Sequence, residues 1–439
     1  MAKKLNQETL IEFNPKLPRL SKSEGKVLKL LIEAVKLVAP LYKQQENQKF
    51  PGANFYPHDV IREEIEEAAK SNPEILSRYT VVERIDGKLV AIPYHVKYRE
   101  FLKPIADKLN KAGEITENRE LRRFLKLQAR ALLEGTYQEA IVAGLAMKPY
   151  ILDISIGPID HDDDLLFFAK ASYQAWVGVM DEEGTERLNN YKSIIFSSKR
   201  GSVSTEWVDN YGKVKAKVLD VVVFSGLLAK TKFVGLNLPS NINIVEKYGS
   251  EVTLFNQSND LRMREQIMPT FKKIFSQEFR HSFDFEDLRR GNLRYIAMHE
   301  LSHSYLYYRH AEENLQDLFM PIYELAATVL GFRMAGTLLL KDRINDKQLE
   351  SMIVAFLCRS FYLAGQTQIS KSMAGYTLGS TIFINFLLES GALKASRGIA
   401  TPNYMKVFIV LPDLFHTLEK LLSSGTRKEA AALIKKYEE

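Results

Sequence analysis

Apolar residues recur every three or four positions in "EGKVLKLLIEAVKLVAPLY" (24–42) and "ELRRFLKLQARALLEGTYQEAIVAGLA" (120–146). That period places them on one face of a helix, so the first third of the chain reads as mainly helical. Between these segments, "YTVVERIDGKLVAIPYH" (79–95) carries two runs rich in β-branched residues on either side of Asp86–Gly87. Asp-Gly tolerates the left-handed backbone of a two-residue turn, and the pattern predicts a β-hairpin. Further strand-like runs follow in "YILDISIG" (150–157), "QAWVGVMD" (174–181), "VLDVVVFSGLL" (218–228) and "SEVTLFN" (250–256). From Met263 onward the pattern is helical. The expectation is an α+β protein of two lobes with a cleft between them, a mixed lobe over 1–255 and a mainly helical lobe over 256–439.

Composition adds little to that division. At 439 residues and 46% apolar content the chain can bury a large core. The net charge of +6 is spread over 60 basic and 54 acidic residues. Because a nucleic-acid binder concentrates its basic residues on one stripe, no nucleic-acid partner is expected. Short mixed runs such as "SSKRGS" (197–202) read as solvated faces. "MAKKLNQETL" does not read as a signal peptide, and runs such as "STIFINFLL" and "RMAGTLLLK" fall short of the roughly 20 residues that span a bilayer. The single cysteine, Cys358, sits in the apolar run "IVAFLCRSF" and reads as a buried packing thiol. A cytoplasmic protein without a membrane partner, monomeric or homodimeric, is expected. The acid-rich "IGPIDHDDD" (156–164) resembles an oxygen-ligand site, although its spacing matches no calcium loop.

The strongest chemical signal is "HELSH", His299 to His303. Residues four apart meet on one helix face, so the two imidazoles can share one metal ion while Glu300 lies beside it. Zinc needs a third protein ligand. No histidine stands six residues after His303, where Arg309 is found. On a helix continuing through "SYLYYRHAEENL", His310 would lie about 10 Å along the axis from His303. Glu324 is the alternative: it is the acid in the otherwise apolar pattern "DLFMPIYELAATVLGFRMAG" (317–336), where an unpaired carboxylate would be costly. Pairing with Arg333 is the structural alternative for Glu324.

These residues sit among longer blocks: "FPGANFYP", "SRYTVVERIDGKLVAIPYH", "ISIGPIDHDDDLLFFAKASYQAWVGVMD", "GLNLPSNINIVEKYGSEVTLFN", "LQDLFMPIYELAATVLG" and "INFLLESGAL". In this order, and over most of the chain, the sequence resembles the dipeptidyl-peptidase III family of zinc exopeptidases, particularly its shorter bacterial relatives. Most of that family has a zinc motif one residue longer than the "HELSH" found here. The resemblance implies a two-lobed fold, with a zinc-bearing helical lobe and a mixed lobe built around a β-barrel. It implies one zinc ion held by His299, His303 and Glu324, with Glu300 as general base. It also implies short peptide substrates, gripped at the amino end by Asp153 and Asn237 and cut to release N-terminal dipeptides.

Several positions depart from the family pattern. Ser240 replaces a second asparagine near Asn237, and Ser155 replaces a tyrosine of the animal enzymes. Tyr323 and Thr328 replace acids, the latter one that orients a zinc histidine. Tyr376 stands where the family places a histidine that steadies the transition state. Tyrosine is also a donor, although the apolar "SMAGYTLGSTIFINFLL" (372–388) equally allows a packing role. The expected function is a zinc-dependent peptidase acting on short peptides. A catalytically weak peptide- or metal-binding protein of the same fold, or a zinc hydrolase of non-peptide amides, is the alternative.

Overall fold

The computed structural model describes residues 9–46, 54–161, 164, 166–167, 169–196, 207–208, 211–365 and 371–437. The chain forms two compact units, one from Met1–Met180 with Leu219–Phe233 and the other from Asp181–Val218 with Val234–Glu439. This interleaved division differs from the expected boundary at residue 255, because β6 below is shared along its length. The "SSKRGS" run, residues 50–53 of "FPGANFYP", and Asp162 and Asp163 lie outside the described residues.

In the first unit, the helix Lys22–Lys36 begins at a capping box in which Ser21 and Glu24 satisfy each other's backbone N–H groups. The helix Arg119–Glu134 is capped by Asn118 and ends at Gly135, whose φ of 78° is a left-handed stop. Their apolar faces supply Leu31, Val35, Leu121, Leu125 and Leu132 to one core. Three antiparallel strands meet that core or lie beside it: β1 (Leu10–Glu12), β2 (Thr80–Ile85) and β3 (Lys88–Pro93). As expected, β2 and β3 form a hairpin, with Asp86 and Gly87 both at positive φ between Ile85 and Lys88.

The unit's sheet contains β4 (Leu152–His161), β5 (Ala171–Met180) and the second part of β6 (Lys215–Gly226). β5 pairs antiparallel with β4 and with β6, and β1 pairs with β6. The acid-rich segment before β5 has a structural role here. Asp164 accepts the backbone N–H groups of Leu166, Phe167, Ala169 and Lys170. The fully buried Lys170 donates its Nζ to the Ile75 and Ser77 carbonyls and the Thr80 hydroxyl.

In the second unit, Lys215 at the start of β6 donates its N–H to the Ser250 carbonyl, which precedes β8 (Glu251–Phe255). β8 pairs antiparallel with β7 (Gly235–Leu238). In neither unit do the described strands close into a barrel, contrary to the barrel core that the resemblance implies. The α+β class holds. From Met263 onward the described residues are mostly helical, as the pattern predicts, apart from one hairpin. β9 (Leu393–Ser396) and β10 (Ile399–Pro402) form a hairpin turned by Arg397 and Gly398, both at positive φ.

Three helices build the core around the histidines: Phe285–His303, Phe319–Leu340 and Asp346–Ala364. Two glycines set their separation. A Cβ on Gly331 would come within 3.0 Å of the His299 nitrogen, and one on Gly291 within 2.6 Å of the Ser351 backbone. Cys358 is fully buried in this core, and burial pushes its thiol far above the ordinary range. Among the described residues, one stretch, Ala311–Leu340, is long and apolar enough to cross a membrane, contrary to the expectation from the shorter runs. It is a core element instead: 72% of its apolar window is buried within the protein.

Candidate metal centre

The histidine helix Phe285–His303 starts at Asp284, which forms a capping box with Asp287. Nineteen residues later it ends at His303, not beyond it. The predicted continuation through "SYLYYRHAEENL" does not form. The N–H groups of Ser304, Tyr305 and Leu306 turn back onto Leu301, Ser302 and His303, and the Tyr308 backbone bridges to Trp207. His310 is exposed near Glu313, with Nδ1 3.4 Å from its carboxylate. It is therefore outside the centre because the chain turns away, not because a long helix separates it.

Glu324 projects from the second turn of the helix Phe319–Leu340. Its Oε2 lies 3.1 Å from His299 Nε2 and 3.8 Å from His303 Nε2. One ligand atom from each of the three residues lies within 4.8 Å of the other two, and all three side chains are buried. Arg333 takes no part: its guanidinium lies over the Phe415 ring, 4.9 Å from the centroid.

Two nitrogens and one oxygen are a zinc donor set. Ligands about 2.0–2.1 Å from a tetrahedral ion are roughly 3.4 Å from each other, so the observed separations fit one ion with little adjustment. The outer partners favour the same role. His299 Nδ1 lies 3.2 Å from the Thr328 hydroxyl. Thr328 in turn hydrogen-bonds Tyr295, one turn before His299. An Nδ1–H donated to Thr328 leaves the Nε2 lone pair for a metal. A hydroxyl thus takes the place of the acid the family pattern has at 328. His303 is held differently. Its ring lies against Tyr323, 4.7 Å between centroids, and its buried Nδ1 has no hydrogen-bond partner among the described residues.

The electrostatics divide the two histidines. Burial opposes charge on His299, but the hydrogen bond and charge of Glu324 outweigh it and raise its pKa. His303 is pushed down to about 4 by burial, which Glu324 only partly offsets. Burial acts to raise the Glu324 pKa, yet both histidines and a hydrogen bond from Tyr376 hold it below the usual value.

That last contact locates Tyr376. It lies on the helix Lys371–Glu389, which approaches the glutamate helix closely at Gly375 and Gly379, one on either side of the tyrosine along the chain. Its hydroxyl reaches Glu324 and not merely the apolar core. Glu300 is buried beside the triad, where its charge acts on His299. Asn237 on β7 fixes that residue's backbone. Its Nδ2 donates to the Glu300 carbonyl at 2.9 Å and to the Ser304 hydroxyl at 3.1 Å. The close approach depends on Gly235, where a Cβ would meet the Glu300 side chain at 2.8 Å. The Oδ1 of Asn237 is buried without a hydrogen-bond partner among the described residues. Asp153 lies on β4 in the other unit, buried, and accepts from Trp176 Nε1 at 2.8 Å.

Six of the seven sequence-derived residues thus belong to one unit and converge there. Sequence reasoning missed Tyr295 and the positioning role of Asn237, since neither has a spacing signal relative to "HELSH".

No family model matches the chain. Nudix hydrolase 3 from Arabidopsis thaliana is 24% identical over 426 residues, covering 89% of this chain and 54% of that protein. The chain therefore spans about half the length of this curated relative. Among solved structures, dipeptidyl-peptidase III from Caldithrix abyssi superposes with a TM-score of 0.80 at 24% identity, covering 95% of this chain and 90% of that one. Dipeptidyl-peptidase III from Corallococcus sp. strain EGB superposes with a TM-score of 0.83 at 21% identity, covering 97% and 90%. Together with the converging His299, His303 and Glu324, this likeness over nearly the whole length shows that the chain has the dipeptidyl-peptidase III fold.

Proposed function

We propose that this protein is a cytoplasmic, zinc-dependent peptidase that hydrolyses short peptides and releases N-terminal dipeptides. The observation that carries the reading is the buried His299–His303–Glu324 group with Glu300 beside it. His299, His303 and Glu324 would hold a zinc ion there, which would supply Lewis-acid polarisation at the scissile carbonyl. The chain's own residues do the rest. Glu300 removes a proton from the attacking water and returns it to the leaving amine nitrogen. Asn237 holds the Glu300 backbone carbonyl, so the carboxylate keeps a fixed origin. The unpartnered Asn237 Oδ1 is an acceptor suited to a substrate N–H or ammonium group. Asp153 is assigned to the same amino group by the family resemblance.

A weakly catalytic metal- or peptide-binding protein is the second reading. It is favoured by neutral Thr328 at His299 and by the unpartnered His303 Nδ1, because acids at such positions raise ligand basicity. Against it stands Glu300, a buried acid that a binding protein has no use for. The name of the plant relative describes a protein nearly twice as long and does not decide between these readings.

Register is the direct test. Incubation with a peptide library, products read by mass, should give N-terminal dipeptides, and N-acetylated peptides should be poor substrates. Asp153→Ala should mainly raise KM, losing a charge-assisted contact worth about 1.5–3 kcal/mol. Equal cleavage of blocked and free peptides would mean an endopeptidase, and cleavage of amides alone would mean a non-peptide hydrolase.

Tyr376 is assigned as the donor that steadies charge on the carbonyl oxygen, in place of the family's histidine. Tyr376→Phe keeps the ring and removes the hydroxyl. It should lower kcat by roughly 10²–10³, with KM and melting temperature nearly unchanged. Unchanged kcat with a lowered melting temperature would make it a packing residue that steadies Glu324.

A further inference from the structure

Arg262 acts by charge on His299, Arg359 acts on Tyr295 and Tyr376 around it, and the mechanism uses neither arginine. Arg262 is buried at the end of the helix Asn256–Arg262. It feels the charges of Glu300, Tyr295 and Tyr376, yet no hydrogen bond or ion pair holds its guanidinium among the described residues. Arg359, on the helix Asp346–Ala364, is partly buried and feels Tyr295 and Tyr376 as well. It also feels Arg262 directly, as a like charge. Burial pushes Arg262 down to about 10, and burial with the repulsion of Arg262 pushes Arg359 down to about 9.

Other arginines of the described chain are treated differently. Arg84 faces Glu64, Arg289 faces Asp260, Arg309 faces Glu246 and Arg427 faces Asp317. At the centre, Arg262 meets the charge of Glu300 without an ion pair to it, and no acid faces Arg359 among the described residues. Glu300 and Glu324 supply two negative charges, which a divalent ion in the His299–His303–Glu324 group would already balance. The two guanidinium charges then have no further counterpart among the described residues, and a buried cation without a partner is destabilising.

The backbone at Arg262 is also irregular. Residues Met263–Ile267 form a π-helical turn, a rare geometry that inserts an extra residue per turn and is frequent at functional sites. Within that turn Gln266 accepts from Arg359 at 2.5 Å, which ties the second arginine to the segment carrying the first. The guanidinium of Arg359 also lies over the Tyr362 ring, 5.8 Å from its centroid, so neutral groups orient it and no acid faces it among the described residues.

We propose that Arg262 and Arg359 form an anion subsite beside the metal ligands that takes a carboxylate of the substrate, the free C-terminus of a short peptide. Planar guanidinium groups match a carboxylate's two oxygens, which suits a pair of arginines to that group better than to a neutral amide end. The subsite deepens the peptidase reading and rests on it for the identity of the ligand: it restricts substrates to peptides short enough to place the C-terminus near the cut bond.

The test compares kcat/KM for trialanine and for its C-terminal amide in the wild-type protein, Arg262→Gln and Arg359→Gln. Wild type should prefer the free acid by roughly tenfold or more, mainly through KM, and both variants should lose most of that preference. Trialanine amide with its last residue changed to Asp should regain the rate only if a side-chain carboxylate can also serve. A second readout is independent of turnover: acetate should raise the melting temperature of wild type and have a smaller effect on either variant. If no peptide is cleaved, the peptidase reading fails alone and the acetate shift decides the subsite. If Arg262→Gln does not fold, Arg359→Gln and Arg262→Lys carry the comparison. Equal rates on acid and amide in wild type, or an acetate shift undiminished in the variants, would overturn the proposal.

Discussion

Glu300→Gln should lower kcat by roughly 10²–10⁴ while leaving the metal content and the fold in place. Glutamine has the shape of glutamate but cannot take up the water's proton, so the change removes one chemical step and little else. The structure makes this a clean substitution. The Glu300 backbone carbonyl is held by Asn237, and Glu300 is not among the three residues whose ligand atoms converge. Its carboxylate acts on His299 by charge and is not one of the converging ligand atoms, so zinc should remain stoichiometric by elemental analysis. Because Glu300 is also the acid whose charge acts on the buried Arg262, the melting temperature should fall slightly while the protein stays folded. A Glu300→Gln protein that cleaves peptides at near the wild-type rate would remove Glu300 from the mechanism.

The second large effect is on the metal itself. Purified wild-type protein should contain one zinc per chain, and His303→Ala or Glu324→Ala should lose most of it together with activity. Three ligands are the fewest that hold a catalytic zinc firmly, and each removal leaves two. The variants should nevertheless stay folded. The histidine helix is anchored by Met298, Leu301 and their neighbours in a large apolar core, so the metal does not carry the fold. The two variants should differ in stability. Glu324→Ala also strips partners from His299 and Tyr376, whereas His303→Ala removes a ring whose Nδ1 has no partner. Stoichiometric zinc in both variants would sink the ligand assignment, and an unfolded His303→Ala protein would mean that the metal is structural.

Local signals were legible where a few neighbouring residues decide the outcome. The Asp86–Gly87 turn is one case: two residues able to take positive φ, between runs of alternating apolar positions, close a hairpin with no help from elsewhere. The four-residue spacing of His299 and His303 is another, since one helical turn alone brings their rings to 4.8 Å. The end of that helix was not legible. "SHSYLYYRHAEENL" has no helix breaker, and the chain turns after His303 because the Tyr308 backbone pairs with Trp207, a residue about a hundred positions earlier. The β9–β10 hairpin was likewise hidden, since Arg397–Gly398 is a weak turn signal inside a helical stretch.

The sequence by itself determined the α+β class, the paired histidines and the choice of Glu324, because helical period and the cost of a lone acid in an apolar helix are local properties. Only the tertiary structure decided what surrounds them. It placed a Thr328 hydroxyl, in place of an acid, on His299, and brought the Tyr376 hydroxyl to Glu324. It also set Asn237 against the Glu300 backbone and left Arg262 and Arg359 without an ion pair among the described residues. These contacts join residues far apart in the chain, and their geometry follows from how closely helices pack at Gly291 and Gly331 and how closely β7 approaches the histidine helix at Gly235. A helix repeats its own pattern every few residues, but the separation between two elements depends on every side chain at their contact, and no short stretch of sequence contains that sum.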